Sequence, residues 1–106
     1  TSEREIDARR DRDVAQLDLT ILGLQTHLKQ VRSSEAELRR RVEGFSKASK
    51  AVPDNLMEDL TRTTTDATDT ERMISEKRNE QEGVRAKYNE LRTRFVELMK
   101  RDTASR

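Results

Sequence analysis

A heptad repeat of apolar residues runs through both halves of this chain and changes register at one proline. In the first half, Val14, Ile21, Leu28, Glu35, Val42 and Ser49 take the a positions, and Leu17, Leu24, Val31, Leu38, Phe45 and Val52 take the d positions. In the second half the a positions are Leu60, Ala67, Ile74, Gln81, Tyr88 and Phe95, and the d positions Leu56, Thr63, Thr70, Lys77, Val84, Leu91 and Leu98. Such spacing lays a narrow apolar stripe along an α-helix, and that stripe asks for a partner helix. The second stripe is weak from Thr63 to Gln81. "TRTTTDATDT" is a poor helix former because threonine loses rotamer freedom in a helix. The register crosses it intact, so it reads as helix.

The two registers collide at Pro53, the only proline. Val52 and Leu56 both fall at d, though four residues apart rather than seven. Inside a helix, proline removes a hydrogen bond and clashes with the preceding turn, at a cost of about 3 kcal/mol. At the first turn of a new helix it is tolerated. Asp54, Glu58 and Asp59 then put negative charge at a helix N-terminus, where it is favourable. Ser2 with Glu5 reads as a capping box for the first helix. The sequence therefore predicts one all-α coiled-coil module over residues 1–106, with helix 1 over about 3–50, helix 2 over about 53–103, and the break at Pro53. The chain does not begin with Met, and the expectation is a piece of a longer protein.

Two architectures fit this pattern. In an antiparallel hairpin with its tip at Asp54, the arms are nearly equal. Val42 then faces Ala67, Ile21 faces Tyr88 and Val14 faces Phe95. Flanking charges match as well: Arg32 falls near Glu76, Asp13 near Arg94, and Asp7 near Arg101. The alternative is a parallel dimeric coiled coil kinked at Pro53, which would stack Lys77 on Lys77 and Gln81 on Gln81. The hairpin is the expected fold. Leu19, Leu22, Val96 and Met99 lie outside the seam. In that hairpin they gather at the open end, where two copies would bury them as a partial four-helix bundle. A homodimer is thus expected, with Gly23 permitting close helix approach. Scattered exposed leucines are the plainer account of the same residues.

Little in the chain points to chemistry. Charged residues make up 41% and the hydrophobic class 31%, enough for a seam but not for a globular core. The net charge of +1 creates no overall field for nucleic acid, so a nucleic-acid partner is not expected. No apolar run approaches the roughly 18 residues that span a bilayer, so no membrane insertion is expected. The absence of cysteine fits an intracellular setting, cytoplasm and cytoskeleton or nucleus. His27, the only histidine, has no second ligand at helical spacing. Asp66, Asp69 and Glu71 lack the glycine turn of a calcium loop. Gly23, Gly44 and Gly83 form no phosphate loop. No nucleophile–base set is visible. The expectation is a protein that is not an enzyme and carries no metal or cofactor.

The best candidate site is basic. Arg39, Arg40, Arg41, Lys47 and Lys50, with Phe45 among them, precede an acidic run over residues 54–71. Either the two blocks neutralise each other across the hairpin, or the projecting tip offers its cations and Phe45 to an acidic partner such as a microtubule surface. Thr63 and Thr68 sit in acidic contexts that suit a kinase, and phosphates there are expected to face Arg39, Arg40 and Arg41.

With "SEREIDARRDRDVAQL" and "ELRRRVEGFSKASKAVPDNL", the whole chain resembles the coiled-coil part of the microtubule-binding domain of kinetoplastid kinetochore proteins: cysteine-free, rich in arginine and threonine, an interrupted coil. The resemblance implies a scaffold in a kinetochore assembly, with microtubule contact shared by a separate basic tail that this sequence does not hold. The functional expectation is a non-catalytic coiled-coil scaffold or oligomerisation module of a cytoskeletal assembly. The alternative is a coiled-coil recognition module for a small GTPase or a membrane-trafficking partner, docked on the leucine face.

Overall fold

The structure, a computed structural model, describes residues 2–105. Two helices make it up, α1 over Glu3–Lys47 and α2 over Asp54–Ser105, and the chain turns back between them as a helical hairpin. Each helix end has a local cause. Ser2 caps α1: its Oγ accepts from the Glu5 N–H at 3.1 Å and its carbonyl from the Ile6 N–H at 3.0 Å. At the other end Ser49 adopts φ 55°, in the left-handed region. Its N–H donates to the Ser46 carbonyl at 3.1 Å, and the Lys50 N–H donates to the Phe45 carbonyl at 2.9 Å. That pair of bonds is a Schellman closure, with serine where glycine usually stands. Pro53 lies one residue ahead of α2 rather than inside its first turn. Its carbonyl accepts from the Leu56 and Met57 N–H groups at 3.1 and 3.2 Å, and its missing N–H leaves no helical bond unmade.

The chain forms two compact units. The first covers Leu22–Ser75 and contains the tip. Val31, Leu56, Ala67, Ile74 and Thr70 are buried there, while Leu38, Val42, Phe45 and Leu60 are half-buried. The threonine-rich stretch is helical, and its hydroxyls bond within their own helix. Thr63 donates to the Asp59 carbonyl at 2.8 Å, Thr68 to that of Thr64 at 3.1 Å, and Thr70 to that of Asp66 at 2.7 Å. Such back-bonding satisfies the hydroxyl, so a threonine can sit in the seam. Across the two helices, His27 meets Asp66 and Arg32 meets Glu71.

The second unit joins the residues up to Ile21 with those from Glu76 on. Ile6, Ile21 and Gln81 are buried in it. The Gln81 amide donates to Asp18 Oδ1 at 2.5 Å and to the Val14 carbonyl at 3.2 Å. The Tyr88 hydroxyl donates to Asp13 Oδ2 at 2.8 Å, and Arg10 donates to Asn89 Oδ1 at 3.3 Å. Arg92 lies 3.6 Å from Glu3 and 3.7 Å from Asp7.

The seam faces agree with the heptads. Every expected a and d residue from Val14 to Phe45 is buried or half-buried, and so is every one from Leu56 to Phe95 except Leu91. The facing partners differ. Tyr88 meets Asp13, not Ile21. Gln81, not Phe95, lies by Val14. Arg92, not Arg101, reaches Asp7, and Arg32 pairs with Glu71. The cause is the position of the turn, which lies between Lys47 and Asp54 instead of at Asp54. Moving a turn by half a heptad moves each facing partner by a whole heptad, and the a and d stripes stay where they were. The arms are also unequal, 45 residues against 52. In the second unit, Ile6 and Arg9 lie beside Leu91, Phe95 and Leu98, and Glu3 lies beside Val96, Met99 and Thr103.

Candidate interaction surfaces

At the tip, the basic residues are neutralised along the helix rather than across it. Arg41 donates to Glu37 at 3.1 Å, Lys47 lies 3.4 Å from Glu43, and Arg39 lies 3.7 Å from Glu35. The first two are exposed pairs, each worth about 0–1 kcal/mol, while Glu35 in the third is half-buried in the seam. The acidic run behaves likewise: Asp59 pairs with Arg62 at 2.5 Å and Asp69 with Arg72 at 3.6 Å. The expected neutralisation between the two blocks is therefore replaced by pairs three and four residues apart, which α-helix geometry supplies at any register. Among the described residues, Arg40 and Lys50 carry no ion pair. Phe45 is half-buried and lines a shallow hollow of about 290 Å³ with Arg41, Gly44, Ala48 and Lys50. The structure thus brings Phe45, Arg41 and Lys50 together and leaves Arg39, Arg40 and Lys47 outside that hollow.

Thr63 does not face Arg39, Arg40 and Arg41. It shares a polar hollow of about 260 Å³ with His27, Gln30, Val31, Ser34 and Asp66. His27 Nε2 lies 3.2 Å from both carboxylate oxygens of Asp66, a partner that the shifted register supplies. Asp66, Asp69 and Glu71 turn to different partners: His27 and Thr70, Arg72, and Arg32. Among the described residues, no three His, Cys, Asp or Glu side chains converge as metal ligands. No helix of the described residues is long and apolar enough to cross a membrane.

The four residues expected to gather at the open end do not form one face. Leu19 follows Asp18, which meets Gln81, whereas Val96 and Met99 line a groove with Glu3. Sixteen helical residues separate Glu3 from Leu19, about 24 Å at 1.5 Å per residue. Leu19 is 71% exposed and Leu22 59%, and Met99 is exposed while Val96 is half-buried. Apart from its chain neighbours and its own helix backbone, no atom of the described residues comes within 4 Å of where a Cβ on Gly23 would be, so the close approach expected there is not made within the hairpin.

The largest departure from the sequence reading lies at the C-terminal end of α2. Leu91 and Leu98 hold d positions yet are 40% and 61% exposed. Together with Ile6, Tyr88 and Phe95 they line a groove of about 400 Å³ whose polar residues are Arg9 and Arg94. Beside it the Tyr88 hydroxyl donates a hydrogen bond to Asp13. That bond raises the Tyr88 pKa above its ordinary 10.0, because Asp13 holds the phenolic proton. Burial and the Asp13 charge add to the shift, and Arg9 and Arg12 oppose it. Ile6 is the residue that the heptads missed. It lies one position ahead of a stripe that carries Asp7 and Arg10 in its first heptad, so the apolar signal ends before reaching it.

The molecule these observations define is an antiparallel helical hairpin of coiled-coil type, whose apolar seam stays partly open between Ile6 and Leu98. Comparison with known proteins finds no matching family model, no matching curated sequence and no matching solved structure.

Proposed function

We propose that this chain is a non-catalytic coiled-coil scaffold module of a cytoskeletal assembly, acting in the cytoplasm or nucleus by holding other proteins at its surface. The observation that carries the reading is the unfinished seam: Leu91 and Leu98 keep heptad spacing while exposed, as in a coil that has yet to meet a partner. Support for an acidic filament such as a microtubule, and hence for a kinetochore setting, comes from the tip. There Arg40 and Lys50 form no ion pair among the described residues, and Phe45 is half-buried beside Lys50. It comes also from the resemblance of the chain's two arginine-rich stretches to kinetoplastid kinetochore coils. The test is cosedimentation with microtubules at low and moderate salt. Salt-sensitive pelleting that is lost on reversing Arg40 and Lys50 to Glu is expected. A chain that stays in the supernatant at low salt overturns the microtubule reading.

A second reading, recognition of a small GTPase or membrane-trafficking partner, is supported by the exposure of Leu19 and Leu22. It requires a protein partner whose capture is lost with Leu19→Ser and Leu22→Ser and unaffected by the tip reversals.

A further inference from the structure

Resting on the reading of the chain as an interaction module, we propose that the C-terminal end of α2 docks an acidic amphipathic helix of a partner protein. The partner's apolar residues, at heptad spacing, would seat on Leu91, Phe95 and Leu98. Its Asp or Glu residues, at the flanking positions, would meet Arg94 and Arg101.

Three observations select this occupant. First, the floor is apolar and already shaped as a groove between Ile6 on one side and Tyr88, Leu91, Phe95 and Leu98 on the other. Second, the residues that flank the α2 seam here, at the e and g positions, are Arg85, Lys87, Arg92, Arg94 and Arg101, with Met99 the single uncharged exception. Of the acids nearby, Glu90 and Glu97 fall at c, and Asp102, next to Arg101, falls at a. Third, the chain shows the complementary chemistry itself. Where α1 lies along this face, three of its acids bond α2, Glu3 and Asp7 to Arg92 and Asp13 to the Tyr88 hydroxyl, while Arg9 lines the groove itself. Among the described residues, none of these acids pairs with Arg94 or Arg101. Arg94 has only the exposed Glu90 of its own helix, at 2.6 Å, and Arg101 has no ion pair among the described residues.

The same flanks argue against a second copy on this face. A parallel coil sets g against e of the partner, and an antiparallel coil sets g against g and e against e. Either arrangement brings Arg or Lys against Arg or Lys, and like charges in register disfavour pairing.

The experiment uses the full chain and two synthetic coil peptides of three heptads with leucine at a and d. One carries Glu at every e and g, and the other carries Lys there. Binding is read by fluorescence anisotropy at low and moderate salt. The Glu peptide is expected to bind at least tenfold more tightly than the Lys peptide, and its advantage to shrink with salt. Arg94→Glu with Arg101→Glu is expected to invert that preference. Leu98→Ser removes an exposed side chain, so helicity should hold while binding of the Glu peptide falls at least tenfold; Leu19→Ser should change nothing. Equal binding of both peptides, binding of neither, or a charge reversal that leaves the preference intact each overturns the proposal. So does a concentration-dependent dimer, seen by analytical ultracentrifugation, that Leu98→Ser abolishes, because a second copy would then own the groove. Microtubule pelleting that survives Leu98→Ser would leave the scaffold reading standing while the peptide result alone decides this one.

Discussion

Ser49→Gly is expected to stabilise the hairpin, and the reason is local. Ser49 sits at φ 55° because the Schellman closure of α1 demands a left-handed residue at that position. A residue with a Cβ is about 1–2 kcal/mol less favourable there than in the right-handed region. Glycine escapes that term but loses more backbone freedom on folding, roughly 0.5–1 kcal/mol. The Ser49 side chain is exposed and holds no hydrogen bond among the described residues, so its removal costs little. The net gain is about 0.5–1 kcal/mol. For a chain of this size that is a rise in Tm of roughly 2–8 °C. The assay is urea denaturation followed by helical circular dichroism at fixed protein concentration. The midpoint should rise with the slope unchanged, since no buried surface changes. Ser49→Val should move it the other way, because a branched side chain is hardest to hold in that conformation. A midpoint that falls for Ser49→Gly, or a Ser49→Val variant as stable as the parent, would refute the reasoning.

Other expectations follow from the same contacts. Tyr88 is the only tyrosine, so phenolate absorbance titrates it alone. Its midpoint should lie above 10.0 and fall back toward it in Asp13→Asn. Because the folded pKa is the higher one, the Tyr88 contribution to stability is fully present below pH 10.0 and is lost as pH rises through the raised value. An unshifted midpoint would mean that the Asp13 bond is not made. Gly23→Ala and Gly83→Ala meet no atom within 4 Å and should each stabilise by up to about 1 kcal/mol in the same denaturation assay. A loss confined to Gly23→Ala that grows with protein concentration would instead reveal a helix packed on that face. Gln81→Leu gives up one neutral hydrogen bond worth about 0.5–1.5 kcal/mol and one to a carboxylate worth about 1.5–3 kcal/mol for apolar burial worth about 1.5–3 kcal/mol. The terms offset or favour the amide, so the urea midpoint should stay level or fall, and a clear rise would show that leucine stabilises this layer more than the two bonds do.

The buried stripes could be read from residue spacing because each helix sets its own period. Ile21, Val31, Ala67 and Ile74 fall where the heptads place them, whatever lies opposite. The register could not be read the same way. It depends on where the turn closes, and the usual mark of that point, a glycine after the last helical residue, is replaced by Ser49. Half a heptad of uncertainty there displaces Tyr88 from Ile21 to Asp13 and leaves every stripe in place. The partners expected for Asp7 and Asp13 changed for the same reason, to Arg92 and Tyr88. The gathering of Leu19 with Val96 and Met99 failed likewise. The basic tip was legible as a composition, but its pairing was not: Arg39, Arg41 and Lys47 had acids four residues away on their own helix. The open groove was not legible because it depends on the shifted register, which sets Ile6 and Arg9 beside Leu91 and Leu98.

The short connection between Lys47 and Asp54 also bears on the order in which the hairpin assembles. The contact between His27 and Asp66 closes a separation of 39 residues, and that between Arg10 and Asn89 one of 79. Made independently, the second would lose roughly 0.6 kcal/mol more in loop entropy, for one doubling of length. Made after the first, it needs only the next few turns to swing inward. Pairing that starts beside the turn and closes outward is thus the easy route, and it reaches Glu3 and Arg92 last. Amide exchange should be slowest near Val31 and Ala67 and fastest near Ile6 and Tyr88, a gradient that a uniform exchange profile would contradict. A helix captured against Leu91 and Leu98 would then act as a clasp on the ends that the chain itself secures last.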